Sequence, residues 1–205
     1  NLPESRIAKY PYAERDLSKL LVYNSGKISE DIYRNLDKFI FEKSIFIFNN
    51  TKVIQARLHF SNSAGGKIEI FCLEPSEENH EPSTAMMKKS CVEWKCLIGR
   101  VDRWNEKAVS IKTRDFSLDA EIIRRSGNVF TIKFSWQPTK LSFAEILEQF
   151  GEMPIPPYLK RQSEEMDVSR YQTVYATQQG SVAAPTAGLH FTEQIFEKLK
   201  SKNSI

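Results

Sequence analysis

Ala56-Arg57-Leu58-His59-Phe60-Ser61-Asn62-Ser63-Ala64-Gly65-Gly66-Lys67-Ile68-Glu69-Ile70-Phe71-Cys72-Leu73 is the stretch on which the fold turns. Lys67, Glu69 and Phe71 alternate with Ile68, Ile70 and Cys72, the period-two pattern of a strand with one buried face. Asn62 to Gly66 supplies turn residues between two such runs, so the stretch predicts a β-hairpin. Strand-like runs follow at Val92 to Ile98, Val109 to Lys112, Leu118 to Arg124 and Val129 to Phe134, the last pair turned at Gly127-Asn128. Six short strands with no helix between them predict a small antiparallel barrel over residues 56–138. The polar stretch from Pro75 to Ser90 reads as a long mobile loop within it.

Working outward, Leu20 to Tyr23 reads as a strand and Asn24-Ser25-Gly26 as a turn. Ser29 is placed to cap a helix carrying Ile32, Leu36, Phe39 and Ile40 on one face. Ile45-Phe46-Ile47-Phe48 is a continuous apolar run, as expected of a strand buried on both faces. Beyond the barrel, Ser142 and Glu145 form a capping box ahead of Ile146, Leu147 and Phe150, and Gly151 is a helix stop. Pro154, Pro156 and Pro157 hold their segment extended. Asp167 is expected to cap a helix carrying Tyr171, Val174 and Tyr175, and Thr192 one that turns Ile195, Phe196 and Leu199 inward. The fold class is therefore an α/β main domain, from residues 1–55 and 139–205, with an inserted all-β antiparallel barrel domain over 56–138.

The 205 residues carry a formal charge of +3 and are 27% charged and 40% hydrophobic, values of an ordinary globular chain. No run approaches the roughly 20 apolar residues of a membrane helix, and the opening residues lack the apolar core of a signal peptide. Three cysteines, Cys72, Cys91 and Cys96, suggest reduced thiols in a cytoplasmic protein. Cys91 and Cys96 point to opposite strand faces, and His59, His80 and His190 are scattered, which speaks against a zinc site. The mildly basic balance permits nucleic acid as a partner, but a solvated surface accounts for it equally well.

Four segments carry the candidate chemistry: Asn49-Asn50-Thr51-Lys52-Val53-Ile54-Gln55-Ala56-Arg57-Leu58, Gly151-Glu152-Met153-Pro154-Ile155-Pro156-Pro157-Tyr158, Tyr171-Gln172-Thr173-Val174-Tyr175-Ala176 and Gly180 to Phe191. Asn50 and Thr51 follow an apolar run, where α/β sheets place ligand groups, and the rival reading is an Asx turn. Arg57 suits bidentate binding of phosphate or carboxylate, or a salt bridge between domains. Tyr158 can stack on a base, or serve only as part of a stiff proline segment. Tyr171 and Tyr175, four apart, share a helix face, as a packed aromatic pair does, while Gln172 and Thr173 point elsewhere and suit hydrogen bonds to a purine or ribose. Ala184, Pro185, Thr186, Ala187 and Gly188 let a ligand approach the backbone closely, and Gly188 can adopt φ values closed to other residues. His190, beside Phe191, is a candidate general base or a satisfied structural histidine.

In this order the four segments resemble the signatures of the S-adenosylmethionine:tRNA ribosyltransferase-isomerase family, and the opening Leu2-Pro3-Glu4-Ser5-Arg6-Ile7-Ala8 is similar to that family's start. The resemblance covers essentially the whole chain, but the sequence stops at Ile205 while members of the family run on well beyond, so it implies a fragment or a truncated gene product. It implies a barrel-like α/β main domain, incomplete here, and transfer with isomerisation of the ribosyl group of S-adenosylmethionine onto 7-aminomethyl-7-deazaguanine at the tRNA wobble position. Adenine and methionine leave and epoxyqueuosine forms. S-adenosylmethionine would be a ribosyl-donor substrate, with no metal, no membrane and a monomeric protein bound to tRNA. His190 is the first choice of base and Tyr171 the second; Tyr175 and Phe191 join the binding set with the residues above. The alternatives are a non-catalytic β-barrel RNA-binding module or a relative with a different substrate. If half of the main domain is absent, the face of Ile195, Phe196 and Leu199 is expected to be partly uncovered.

Overall fold

The computed structural model describes residues 2–76 and 81–202. In chain order the strands are β1 (Lys19–Asn24), β2 (Lys27–Ile32), β3 (Thr51–Val53), β4 (Arg57–Ser61), β5 (Lys67–Pro75), β6 (Cys91–Gly99), β7 (Ala108–Lys112), β8 (Ser117–Ser126), β9 (Val129–Gln137), β10 (Gly151–Glu152) and β11 (Gln178–Ser181). The α-helices are α1 (Pro82–Met86), α2 (Phe143–Phe150), α3 (Glu165–Arg170) and α4 (Glu193–Ser201). The chain divides into two compact units.

The first unit gathers Thr51–Pro154 and Gln178–Ala183. Its strands run in the order β4-β5-β6-β9-β8-β7, all neighbours antiparallel, and β7 returns to β4 through Ser61 and Ser110. This closes the six-stranded barrel expected from the alternating runs. Closure leaves no open sheet edge, the property that makes small barrels viable. Every second side chain points inward, including Leu58, Phe60, Ile68, Ile70, Trp94, Leu118, Ile132 and Phe134, all essentially sealed from water.

Helix α2 begins at the expected capping box: the Ser142 backbone N–H donates to Glu145 Oε2 at 2.7 Å, and the Ser142 hydroxyl accepts from the Glu145 N–H. Its Phe143 packs into the barrel, with ring centroids 5.1 Å from Trp94, 5.5 Å from Phe134 and 5.7 Å from Trp136. Gly151 ends the helix and pairs with Leu58 of β4. A Cβ there would collide with the carbonyls of Gln55 and Leu147, so this close backbone approach requires glycine. Helix α1 lies within the stretch read as a mobile loop, with Ala85 and Met86 buried in the barrel core. Residues 77–80 of that stretch, including His80, lie outside the described residues. Strands β3 and β11 form a short parallel pair.

The second unit gathers Asn1–Asn50, Ile155–Thr177 and Ala184–Ile205. Strands β1 and β2 form a hairpin closed by Ser25 and Gly26, with φ of 48° and 84°. Positive φ at both central positions is the type I′ geometry that matches strand twist. The hairpin overturns the helix expected from Ser29: residues 27–32 continue the ladder, and a 3-10 helix starts only at Tyr33. Ile45 to Phe48 forms no strand, because no described residue pairs with its backbone. The expected helix through Tyr171 to Tyr175 is also corrected. Helix α3 begins at Glu165 and stops at Arg170, and Asp167 is the third residue of its capping box instead of the cap. Helix α4 is capped by Thr192 as expected. Ile195 and Leu199 are buried with Phe191 under Tyr33, Leu36, Phe46, Phe48 and Tyr175, so the face expected to be uncovered is covered.

Replacing Phe143 with Ala should destabilise the barrel unit by about 3–5 kcal/mol, the cost of deleting a buried aromatic ring. All three tryptophans lie in this unit, so denaturation followed by tryptophan fluorescence reads it: the midpoint should fall with the slope unchanged.

Candidate functional site

The second unit brings two of the four candidate segments together. After α3, the chain turns through Tyr171 to Tyr175 and packs on the 3-10 helix Thr186–His190. Gly188 is buried here, and a Cβ added to it would strike the Tyr175 hydroxyl and press on the Thr173 methyl. The need for glycine is thus a packing need, not the positive φ that the sequence suggests. The Gly188 N–H donates to the Pro185 carbonyl at 2.8 Å, which closes the turn. Thr173 is buried, and Tyr175 sits 4.9 Å from the Phe48 ring and edge-on to Phe196. Burial raises the Tyr175 phenol pKa, opposed in part by the adjacent Thr173 hydroxyl.

His190 is half-buried, its ring 5.0 Å from that of Tyr33, which also meets Phe191 edge-on at 5.4 Å. Tyr171 is half-buried too, and its phenol is raised above 10.0, first by burial and then by the Asp167 carboxylate. A raised phenol is a poorer base at neutral pH, which ranks Tyr171 below His190 for proton abstraction. Thr186 and Ala187 are exposed, and Ala184 and Pro185 are half-buried. Tyr158, in the 3-10 helix Pro157–Leu159, is 59% exposed, so its ring face is open to stacking. The Asn50 carbonyl accepts from the Thr177 N–H at 2.7 Å, and its amide donates to the Thr177 hydroxyl at 3.3 Å, a chain-fixing arrangement.

Thr51 and Arg57 belong to the barrel unit. Thr51 opens β3, opposite Gln178. Arg57 pairs with Glu69 at 3.5 Å and lies over the Phe71 ring at 5.8 Å, so its guanidinium is held within the barrel wall.

Sequence reasoning missed the groups that brace the site. Arg15 donates to the carbonyls of Gln172 at 2.5 Å, Ser169 at 2.7 Å and Leu189 at 3.5 Å, so one guanidinium ties both segments. Next to it, buried Asp16 receives Arg34 through two hydrogen bonds, at 3.0 and 2.8 Å, and Glu14 joins the same guanidinium. Arg34 holds the Asp16 carboxyl below the usual range. A cavity of about 380 Å³ opens beside this network, lined also by Val174 and Thr192. At the start of α3, Arg161 grips Asp167 bidentately at 2.6 and 2.7 Å and covers the Tyr10 ring. The sequence carries no periodic signal for these pairs, whose members sit 18 and more residues apart or belong to irregular segments. Among the described residues, no group of three or more His, Cys, Asp or Glu is arranged to hold a metal, and no helix is long and apolar enough to cross a membrane.

A closed six-stranded barrel and a unit of short helices that packs the Tyr171 and Ala184 segments together define a two-unit α-plus-β protein. A model of the family described as queuosine biosynthesis protein matches residues 1–204, and the chain belongs to that family. Three curated relatives carry the name S-adenosylmethionine:tRNA ribosyltransferase-isomerase. That of Trichlorobacter lovleyi is 37% identical over 204 residues, 98% of this chain and 54% of the relative. That of Aquifex aeolicus is 36% identical over 98% of this chain and 55% of the relative, and that of Carboxydothermus hydrogenoformans 37% identical over 97% and 54%. The chain thus spans about half the length of the curated relatives it matches. A crystal structure of S-adenosylmethionine tRNA ribosyltransferase from Thermotoga maritima aligns over 100% of this chain and 54% of that one, at 24% identity and a TM-score of 0.34, too loose a superposition to carry an argument.

Exchanging Gly188 for Ala should cost roughly 1–3 kcal/mol through overpacking, and Tyr175→Phe, which removes the obstructing hydroxyl, should recover part of it. A double-mutant cycle on thermal unfolding measures the coupling. The depressed Asp167 carboxyl gives a sign for pH. Its contribution is fully present above the unfolded pKa of about 3.9 and is lost as pH falls through the lower folded value. Asp167→Asn should therefore destabilise by about 3–5 kcal/mol at neutral pH and flatten the loss of stability below about pH 4, read by urea denaturation across pH.

Proposed function

We propose that this chain supplies part of an enzyme that transfers and isomerises the ribosyl group of S-adenosylmethionine onto 7-aminomethyl-7-deazaguanine at the tRNA wobble position. The products are epoxyqueuosine in tRNA, adenine and methionine. The observation that carries the reading is the packing of the Tyr171–Ala176 and Ala184–Phe191 segments into one braced surface of a chain belonging to the queuosine biosynthesis family. In this reading residues 56–138 are an inserted barrel, and residues 1–55 and 139–205 belong to a barrel-like α/β main domain.

His190 takes the proton beside the sulfonium, the ribose opens and adenine departs. The amine of the modified base then attacks the ribosyl carbon, and methionine leaves as the epoxide forms. The open ring of Tyr158 stacks on a purine. The exposed backbone at Thr186 and Ala187 lets the donor approach, with Ala184, Pro185, Gln172 and Thr173 around it, while Tyr175, Gly188 and Phe191 shape the surface from beneath. Asn50, Thr51 and Arg57 serve the nucleotide or its phosphates.

The chain, alone and joined to the remainder of the Trichlorobacter lovleyi relative, is incubated with S-adenosylmethionine and tRNA bearing 7-aminomethyl-7-deazaguanine. Adenine release that depends on that tRNA is expected from the joined protein, and His190→Ala should lower kcat by about 10²-fold or more. Retained tRNA binding without adenine release from the joined protein would turn the reading toward an RNA-binding module or a different substrate.

A further inference from the structure

We propose that one end of the barrel is a docking surface for the phosphate backbone of RNA. Each barrel strand is antiparallel to its neighbours, so the connections that follow β4, β6 and β8 leave at the same end. Two of them are stitched together: the Asn62 amide donates to the Arg103 carbonyl at 2.9 Å, and the Ser63 N–H donates to Glu106 Oε1 at 2.6 Å. These connections and the strand ends beside them, residues 61–67, 99–108 and 124–129, hold Lys67, Arg100, Arg103, Lys107, Arg124 and Arg125 against Asp102 and Glu106. Six cations and two carboxylates leave a net +4 on this end, while the whole chain is +3, so all the remaining residues together carry −1. The mild basicity of the chain is thus gathered at one pole of one unit.

All six cations are exposed. Among the described residues, Arg100, Arg103 and Arg124 enter no ion pair, and Lys107 reaches Glu121 at 3.6 Å with its side chain still 88% exposed. Arg125 donates to the Gly127 carbonyl at 3.1 Å and lies over the Phe130 ring at 5.1 Å, so its guanidinium is set beside the turn. Like charges gathered without partners repel one another, and a polyanion relieves that repulsion. Four of the six are arginines, whose planar forks match pairs of phosphate oxygens. The turn residues Asn62 to Gly66 and Gly127-Asn128 are small or polar, and Trp104 packs against the barrel core, so this end presents no apolar wedge to a lipid bilayer. A grip on phosphates positions an RNA without reading its bases. The inference rests on the tRNA partner of the reaction proposed above and adds where that RNA is held.

Fluorescence anisotropy of a labelled tRNA transcript, titrated with this chain, reads the surface. A Kd of about 10⁻⁴ to 10⁻⁶ M is expected, weakening steeply with salt. The triple variant Arg100→Gln, Arg103→Gln, Arg124→Gln should bind about tenfold or more weakly and flatten the slope of log K against log salt by about 2 to 3. The matching Arg→Lys triple should keep that slope, which a purely structural role for the arginines would not preserve. Tryptophan fluorescence should show both triples folded like the parent. Should the Gln triple unfold, Arg124→Gln alone decides, through a slope flatter by about 0.7 to 0.9. RNA binding by the Gln triple equal to that of the parent overturns the proposal, and so does a parent that shows no salt-dependent RNA binding. A loss confined to vesicles of anionic phospholipid assigns the end to a membrane surface and also overturns it. A joined protein that loses RNA affinity on these substitutions but releases no adenine as the parent fails the proposed reaction and keeps the surface. One that releases adenine and whose Gln triple binds RNA undiminished does the reverse.

Discussion

An extended backbone must place its amides and carbonyls against partners, and this requirement shapes both units. In the barrel unit it is met by closure: β7 returns to β4, so neither outer strand of the curled sheet is left open. Closure fixes which side chains face inward, because a slip of one residue would expose Leu58, Phe60, Ile68 and Ile70 together. The sealed interior then leaves room for Phe143 to pack among Trp94, Phe134 and Trp136. In the second unit the hairpin β1–β2 satisfies its own ladder within a two-residue turn. Residues 45–48 are the counterexample, a run with strand chemistry and no described partner.

The same requirement decides how far the sequence could be read. The barrel strands were legible because each carries its own period-two pattern and its neighbours are close in sequence. Lys67 to Leu73, for example, alternates without a break and lies within β5. Ser29 misled because Ile32, Leu36 and Ile40 do share a helical spacing. A Ser25-Gly26 turn with two positive φ values outweighs that spacing by pairing residues 27–32 with β1. Helix α3 ends at Arg170, and the chain just beyond it is held by Arg15, a residue more than 150 positions away, whose guanidinium donates to the Ser169 and Gln172 carbonyls. No local pattern can announce that contact.

Motif matching found the segments of the candidate site, but not what holds them. Gly188 was legible as a required glycine, yet the reason differs: the Tyr175 hydroxyl occupies the space a Cβ would need. His190 was legible as the histidine of the motif, but the Tyr33 ring tilted against it comes from a 3-10 helix with no motif of its own. Asp16 and Arg34 look like ordinary surface charges in the sequence, and only the fold shows Asp16 to be buried.

Arg15 is the clearest case of one side chain organising a site without belonging to a motif. It is partly buried, and burial with the neighbouring Arg170 lowers its pKa. Charge is therefore not the reason to have a cation there, since its three described partners are neutral carbonyls. The fork geometry is. A planar guanidinium presents donors in fixed directions and can hold the Ser169, Gln172 and Leu189 carbonyls at once, whereas an ammonium carries three donors on a single atom. The Gln172 and Leu189 carbonyls belong one to each of the two segments of the candidate site. Their spacing, and with it the placement of His190 relative to Tyr171 and Tyr175, is set by a single rigid group 2.5 to 3.5 Å from each. A site assembled from turns and 3-10 helices has little regular structure to hold it, and this brace supplies the rigidity that a strand or long helix would give elsewhere.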